Sequence, residues 1–397
     1  GDSEDEEKKK ERLHTDDQFG FALVKEEINE ALLQNDQPAA AAKIKELMMK
    51  EKNITLNIAI TGESGSGKST FVNAFRGLSD DDKGAAPTGV KETTSEVTPY
   101  PHPNYPNVTL WDLPGIGSTK FPADKYPELV GFEKFDFFII ISADRFREND
   151  MKLSQEIQRM KKRFYFVHSK IDEDIRAEKR KKNFNKERTL TKIKDGCVQS
   201  EGLGIESPQV FLVSSFELRL YDFSRLHQTL DRDLPAHKRD VLLRAMPNIS
   251  PEIIRKKKQA LKSKVKYWAI LSAVGAAVPV PGLSIAVDAV LLVGVVTDYV
   301  HVFGLDIWSL KRLSVITSPL VTAEISIPLL LKVIAQLGSI AALIAAEETT
   351  RFIPIIGIPV SAGLSFTTTY KILNLILDQL AEDAQKVFEK TQGLNTV

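Results

Sequence analysis

One glycine-rich segment restricts the fold of this chain more than any other feature of its sequence. It directly follows an apolar, strand-like run, Leu56–Ile60, and it matches the pattern G-x4-G-K-[ST] at the junction of a strand and a helix. In such a loop, backbone amides face phosphate oxygens, Lys68 brings a positive charge to the outer phosphates, and the Ser69 hydroxyl can bind magnesium. A glycine-rich turn without a function is the alternative, but the context favours a phosphate site. Its predicted residues are Gly62, Glu63, Ser64, Gly65, Ser66, Gly67, Lys68, Ser69 and Thr70.

A second phosphate-facing segment follows a later strand-like run. Val108–Trp111 ends in Asp112-Leu113-Pro114-Gly115. Proteins with such a loop place a carboxylate there against the magnesium shell, and a backbone amide, here that of Gly115, against the third phosphate. Between the two segments, residues 84–94 (GAAPTGVKETT) form a stretch flexible enough to be ordered by that phosphate. The predicted metal ligands are Ser69, Thr88 and Asp112, and Lys68 and Thr88 are also candidate catalytic residues.

A third segment indicates which base is bound. The strand-like run Phe164–Val167 leads into Ser169-Lys170-Ile171-Asp172. The Asp172 carboxylate can accept two hydrogen bonds from N1 and the exocyclic amine of guanine, a donor pair that adenine lacks, while the Lys170 stem lies over the ring. A surface salt-bridge segment is the alternative, because guanine motifs usually begin with Asn and Ser169 lacks the amide. At the end of a last run, Val210–Val213, a backbone amide of Ser214 or Ser215 can meet the guanine oxygen. The predicted ligands are therefore GTP and GDP, with Mg²⁺.

The residue after Gly115 bears on hydrolysis. It is Ile116, where small GTPases of the Ras kind place a glutamine that orients the attacking water. We therefore expect hydrolysis by the isolated domain to be slow, unless another group orients the water.

The pattern of apolar and polar residues divides the chain into four parts. Residues 1–16 are charged and predict a disordered tail, and residues 17–53 predict two short amphipathic helices, the second of which begins after Asp36. Between residues 54 and 236, apolar runs of strand length alternate with amphipathic stretches, which is typical of an α/β domain with a mostly parallel sheet and helices on both faces. Residues 237–397 predict an all-helical domain.

Charge and cysteine content exclude some classes of partner and site. Fifty-three basic residues balance fifty-three acidic ones, so nothing global attracts the chain to nucleic acid. The one cysteine, Cys197, cannot form an internal disulfide, which favours a reducing compartment such as the cytosol. The first residues show neither a secretory signal nor a myristoylation motif.

The C-terminal part is unusually apolar. Tyr267–Val287 contains no charged side chain and is long enough to span a bilayer, but Pro279, Pro281 and Gly282 argue against one straight helix. A similar proline-glycine break occurs at residues 353–359, so two helical hairpins are predicted, either as the core of a helical domain or as elements that insert into a bilayer. A basic cluster, Arg255–Lys258 with Lys262, Lys264 and Lys266, either binds anionic headgroups or is a solvated helix face.

The motifs GESGSGKST, GAAPTGV, WDLPGIGST, FDFFIIISADRF and FYFVHSKID together resemble the interferon-inducible immunity-related GTPase family. The resemblance implies a Ras-like P-loop GTPase domain held between N- and C-terminal helices. It further implies GTP-dependent self-assembly and action, in cell-autonomous innate immunity, on membranes that enclose intracellular pathogens. By the same resemblance, the protein is cytoplasmic and peripherally bound to intracellular membranes, and its partners include regulatory GTPases of the same family.

Within this resemblance, Lys68 makes the chain similar to the effector branch, since the regulatory branch carries methionine at that position. In the family, two GTPase domains pair across their nucleotides and a first-switch glutamate assists hydrolysis. That role falls on Glu92 by position, and Glu63 in the phosphate loop is a second candidate. For each, a solvated or lysine-paired side chain is the alternative. A competing hypothesis for the whole protein is a membrane-associated helical scaffold in which GTP is only a conformational switch.

Overall fold

The computed structural model describes residues 21–89, 96–117, 119–197, 209–275, 278–279, 286–306 and 363–394. Contacts between these residues divide the chain into two units. Residues 54–234 and 245–249 belong to the first unit, and the described parts of residues 1–53, 235–244 and 250–397 belong to the second. The predicted tail, residues 1–16, and the second proline-glycine break, residues 353–359, lie outside the described residues.

The secondary structure alternates strands and helices only in the first unit. The strands are β1 (Leu56–Gly62), β2 (Thr98–Pro101), β3 (Val108–Asp112), β4 (Phe137–Ser142), β5 (Arg163–His168), β6 (Val210–Leu212), β7 (Val278–Pro279) and β8 (Ala286–Val287). The helices are α1 (Phe21–Leu33), α2 (Gln37–Lys52), α3 (Lys68–Phe75), α4 (Tyr126–Val130), α5 (Glu148–Arg159), α6 (Ile171–Glu178), α7 (Lys186–Cys197), α8 (Phe223–Asp233), α9 (Ala236–Ala245), α10 (Pro251–Val274), α11 (Ala289–Val302) and α12 (Gly363–Leu394).

The six-stranded sheet of the first unit has the order β2-β3-β1-β4-β5-β6. All neighbouring strands are parallel except β2, which pairs antiparallel with β3. The carboxyl ends of the five parallel strands therefore meet at one edge. The chain passes from β1 to one side of the sheet and later returns to its other side. Such a switch point is where open α/β sheets bind ligands.

The edge strand β2 was not predicted. Its sequence, Thr-Pro-Tyr-Pro, contains Pro99 and Pro101, which lack a backbone N–H and usually exclude a residue from a central strand. An edge strand tolerates them because only one side of its backbone pairs with a neighbour.

Aromatic side chains fill much of the core of the first unit. Phe138 on β4 is fully buried, and its ring centroid lies 4.7 Å from that of Phe132 and 5.6 Å from that of Phe135. β4 and β5 are buried along most of their length, as expected for strands covered on both faces. This packing holds the ends of the central strands in a fixed arrangement.

The second unit joins helices from both ends of the chain, as the family resemblance implies. α1 packs against α2, α2 packs against α10, and α10 packs along α12. α2 begins where the sequence predicts, because the Asp36 side chain accepts a hydrogen bond from the amide of Ala39 at 3.2 Å.

As the sequence predicts, the stretch from Tyr267 to Val287 does not form a single helix. α10 ends at Val274, and α11 begins at Ala289, where the Asp288 side chain caps the helix by accepting from the amide of Leu291. The prediction of an all-helical C-terminal part needs one correction, because β7 and β8 form a short antiparallel pair. None of the helices that the structure describes combines the length and the apolar character needed to cross a lipid bilayer.

The basic residues predicted to form a cluster on α10 do not form a continuous exposed surface. Lys257 is 2% exposed, and its ammonium group donates to the backbone oxygen of Val302 at 2.8 Å. Burial lowers the pKa of Lys257 to about 7. The ammonium groups of Lys258 and Lys262 lie 3.0 and 2.8 Å from the Asp378 carboxylate. The positive charge of this helix is therefore partly buried and partly neutralised within the unit.

Candidate nucleotide-binding site

The glycine-rich loop lies where β1 meets α3. Gly67 precedes the first residue of α3 and has a φ of 82°, a left-handed conformation that disfavours a side chain. At Gly62, a Cβ atom would lie 2.5 Å from the backbone oxygen of Ile141, so only glycine fits there. Glycine at these two positions therefore lets the loop turn into α3 and lie close to β4.

Two charged groups from neighbouring strands meet beside this loop. Asp112 ends β3 and lies in register with Ile60 of β1. The ammonium group of Lys68 lies 2.7 Å from Oδ1 of Asp112 and 3.4 Å from the backbone oxygen of Leu113. Both side chains are largely buried, at 12% and 8% exposure. The structure thus brings together the residues expected to contact the outer phosphates and the magnesium.

The base segment is tied to the phosphate loop. The Ser169 hydroxyl donates to the backbone oxygen of Ser66, and the Lys170 ammonium group donates to that of Gly65 at 3.1 Å. The Ser169 amide also donates to the backbone oxygen of Ser142 at 2.8 Å. A serine in place of the usual asparagine therefore still connects the two segments, through its hydroxyl.

Asp172 lies in the first turn of α6 and is half-buried. Its negative charge acts on the hydroxyl of Tyr221, in the loop that follows β6. Burial raises the pKa of the Tyr221 hydroxyl, and the negative charges of Asp172 and Glu217 raise it further. The carboxylate of Asp172 thus lies on the same side of the sheet edge as the loop that follows β6.

Buried hydroxyl groups lie around this edge. Within the described part of the chain, the hydroxyls of Ser66, Ser214 and Ser215 are buried and have no hydrogen-bond partner. A buried polar group without a partner is unfavourable by roughly 1–3 kcal/mol, so such groups commonly belong to binding sites. Together with Lys68 and Asp112, they form a donor set that suits the phosphates and base of a nucleotide with its magnesium.

The remaining predicted residues vary in exposure. Ser69 and Thr70 lie half-buried at the start of α3, and the Thr70 hydroxyl lies 3.5 Å from the Asp80 carboxylate. The exposed residues of the predicted set are Glu63, Ser64, Gly65, Thr88 and Gly115.

Of the two candidate catalytic glutamates, the structure describes only Glu63. The Glu63 carboxylate lies 3.5 Å from the guanidinium group of Arg147, just before α5, and both side chains are more than half exposed. Glu63 is thus paired with an arginine rather than a lysine. Glu92 lies outside the described residues.

Sequence reasoning missed a polar cluster that holds the first-switch segment. Asn73 on α3 is fully buried and exchanges hydrogen bonds with the backbone of Ala86, at 2.6 and 3.0 Å. The guanidinium group of Arg76 donates to the backbone oxygens of Gly84 and Pro101, at 3.0 and 3.2 Å. Arg76 thereby connects Gly84, the first residue of the segment, with Pro101 of β2, which follows the segment. The signal available in the sequence was an asparagine followed three residues later by an arginine, next to phenylalanines that are buried.

His168 was also missed. It is 3% exposed at the end of β5, directly before the base segment. A histidine that ends an otherwise apolar strand was the signal in the sequence.

A mostly parallel sheet with an antiparallel edge strand, and a phosphate loop at its switch point, define a P-loop GTPase of Ras-like architecture. The profile of a family described as "Interferon-inducible GTPase (IIGP)" matches residues 22–391. The chain therefore belongs to the interferon-inducible GTPase family and is a GTP-binding GTPase, which confirms the resemblance seen in its motifs.

Individual relatives match over most of the chain. Interferon-inducible GTPase 5 of Rattus norvegicus is 42% identical over 383 residues, which cover 92% of this chain and 82% of that protein. Interferon-gamma-inducible GTPase 10 of Mus musculus is 38% identical over 342 residues, covering 84% and 81%. Interferon-inducible GTPase 1 of Mus musculus is 45% identical over 264 residues, covering 65% and 63%.

Proposed function

We propose that this GTPase hydrolyses GTP with magnesium and that its turnover depends on self-association. The observation that carries the proposal is Ile116, a half-buried apolar side chain that packs against the core. GTPases of the Ras kind place a water-orienting glutamine at this position. An isoleucine cannot donate or accept a hydrogen bond, so another group must orient the water. A second copy of the chain is the source that we propose.

Each predicted residue has a role in this proposal. Lys68 and the amides at the start of α3 hold the outer phosphates, and Asp172 accepts hydrogen bonds from guanine. Ser69, Asp112 and Thr88 would hold the magnesium ion. When bound, the ion neutralises charge on the phosphate oxygens. The Gly115 amide contacts the third phosphate, and Ser214 or Ser215 contacts the guanine oxygen.

Glu92 remains the proposed water-orienting residue, by the family resemblance. Glu63 is the weaker candidate, because an arginine of the same chain already faces its carboxylate. An exposed ion pair of this kind contributes little, typically below about 1 kcal/mol, so Glu63 stays available if assembly rearranges it.

The experiment is a dilution series of the full chain with GTP and magnesium. We expect specific activity to rise with protein concentration over a hundredfold range, and light scattering to show assembly with GTP but not with GDP. Glu92→Ala should reduce turnover with little change in nucleotide affinity, whereas Glu63→Gln should change turnover less. A flat specific activity without GTP-dependent assembly would contradict the proposal and favour the scaffold hypothesis.

We further propose that the assembled protein acts peripherally on anionic intracellular membranes in innate immunity, with regulatory members of the same family as partners. The support is the family resemblance. The exposed cations on α10 are Arg255, whose guanidinium group lies 3.8 Å from the Glu252 carboxylate, and Lys266, whereas Lys257 is buried. The exposed basic surface of α10 is smaller than the sequence predicted, so its electrostatic contribution to membrane binding should be small.

Co-sedimentation with vesicles tests this second part. We expect GTP-dependent binding to vesicles that contain phosphatidylserine, weaker binding to neutral vesicles, and release by high salt. The double variant Arg255→Gln, Lys266→Gln should weaken binding, and the control Arg180→Gln, Lys182→Gln, on the exposed surface after α6, should not. Retention after both high-salt and carbonate washes would indicate insertion instead of peripheral binding.

A further inference from the structure

His168 connects two parts of the site edge through its ring. Nε2 lies 2.6 Å from Oδ2 of Asp174 on α6, and Nδ1 lies 3.0 Å from the backbone oxygen of Asp144, in the loop after β4. A carboxylate and a carbonyl oxygen can only accept hydrogen bonds, so both ring nitrogens must carry a proton to satisfy them. The arrangement therefore selects the charged imidazolium form.

The electrostatic surroundings agree with this geometry. Burial opposes a charge on His168, but the hydrogen bond to Asp174, followed by the contact with Cys197 at the end of α7, raises its pKa to about 10. Asp174 and Cys197 are the titratable groups that face the ring. The Asp174 side chain is 38% exposed, so the pair lies at the border of the protein interior.

The position of this link relates it to base recognition. Asp174 lies in the same first turn of α6 as Asp172. His168 directly precedes Ser169, whose hydroxyl and amide bind the phosphate loop and the end of β4. The ring thus joins the start of α6 and the end of β5 to the loop that follows β4, next to the residues proposed to face the base.

We propose that His168, held between Asp174 and the backbone of Asp144, is a positioning residue that sets the place of Asp172 and so the specificity for guanine. This inference rests on the proposed role of Asp172. His168 does not touch the nucleotide in this mechanism. It restricts the first turn of α6, and a hydrogen bond to the base depends on that placement because binding contacts tolerate little displacement.

The experiment compares affinities for GDP and IDP, since inosine lacks the exocyclic amine and loses one hydrogen bond to Asp172. Asp174→Asn keeps the shape of the side chain but removes the charge that His168 faces. We expect it to lower the ratio of GDP to IDP affinity by about tenfold, whereas Asp174→Glu should largely restore the ratio. Glu173→Gln, an exposed neighbour in the same turn, is the matched control and should leave the ratio unchanged. A merely structural role would lower the melting temperature without moving this ratio.

Two further measurements complete the test. In the wild type, nitrogen-15 spectra should show both ring nitrogens of His168 protonated at about pH 8; a neutral ring would overturn the inference. Asp172→Asn should move preference from guanine to xanthine nucleotides, because the donor and acceptor pattern is reversed. If it does not, the proposed role of Asp172 fails. If it does and Asp174→Asn keeps the wild-type ratio, only the positioning role of His168 is overturned.

Discussion

The ammonium group of Lys68 lies 2.7 Å from the carboxylate of Asp112. The two residues come from the start of α3 and the end of β3, and each is expected to contact a different part of the bound nucleotide. Both are largely buried, so their attraction is screened less than that of an exposed pair. Phosphate oxygens must therefore compete with Asp112 for the charge of Lys68.

This competition leads to the first prediction, for Asp112→Asn. Without magnesium, we expect the variant to bind GDP more tightly than the wild type, by about fivefold, because Lys68 no longer faces a carboxylate. With magnesium, we expect turnover to fall by at least about a hundredfold, since a proposed metal ligand is lost. Fluorescent-nucleotide titration with and without EDTA measures the first effect, and phosphate release measures the second. Asp124→Asn, an exposed carboxylate before α4, should change neither; equal binding by both variants in EDTA would exclude the competition.

A second prediction concerns the cluster behind the first-switch segment. Asn73→Ala leaves the backbone groups of Ala86 without their partners, so we expect the free energy of unfolding to fall by roughly 2 kcal/mol. The affinity for a non-hydrolysable GTP analogue should fall about tenfold more than that for GDP, because the third phosphate is the group that we expect to order this segment. Asn107→Ala is the control: Asn107 donates to the backbone oxygen of Ile54 at 2.7 Å, so its loss should lower stability without changing the ratio of the two affinities. An unchanged ratio in Asn73→Ala would mean that the cluster supports stability alone.

The third prediction is the pH dependence that His168 imposes on stability. Its pKa is about 10 in the folded protein, above the value of about 6.5 for an unfolded chain. The stabilisation is therefore complete below about pH 6.5 and is lost as the pH rises toward 10, at up to about 1.4 kcal/mol per pH unit. Urea unfolding at about pH 7 and pH 9 should show a larger loss for the wild type than for His168→Gln. Parallel losses in the two proteins would argue against a charged His168.

The fourth prediction concerns Lys257, whose pKa shift has the opposite sign. Burial lowers its pKa to about 7, below the unfolded value of about 10.5, so folding is disfavoured as the pH falls from 10.5 toward 7. We expect Lys257→Met to raise the free energy of unfolding at about pH 6 by roughly 1–3 kcal/mol, and by less at about pH 9. Lys266→Met, which changes an exposed lysine of the same helix, should have little effect at either pH. Destabilisation by Lys257→Met at both values would show that the hydrogen bond to Val302 outweighs the unfavourable burial of the charge.

Local sequence patterns were sufficient to predict the phosphate loop, the main strands and the family. An apolar run followed by glycines, a lysine and a serine contains the turn, the charge and the hydroxyl within a few consecutive residues, so no distant contact is needed to recognise it. Asp112 and Asp172 could be placed by the same logic, because each follows a strand and parallel strands end at one edge. The N-terminal helices were predictable from their periodicity and from the Asp36 cap.

The features that the sequence did not indicate depend on the partner that each residue meets. Lys257 lies in a run of basic residues, but it shares the face of α10 that includes Ile253, Leu261 and Val265, so the packing of that face buries it. Pro99 belongs to a strand only because β3 offers an edge.

The same reason applies to the polar contacts of the site. Ser169 replaces an asparagine and still binds the phosphate loop, and His168 joins Asp174 to the backbone of Asp144. Such contacts connect side chains and backbone groups from different strand ends. The sequence by itself therefore determined which residues are the candidates for the chemistry, while the tertiary structure decided how they are held, because a hydrogen bond depends on distance and direction in space rather than on separation along the chain.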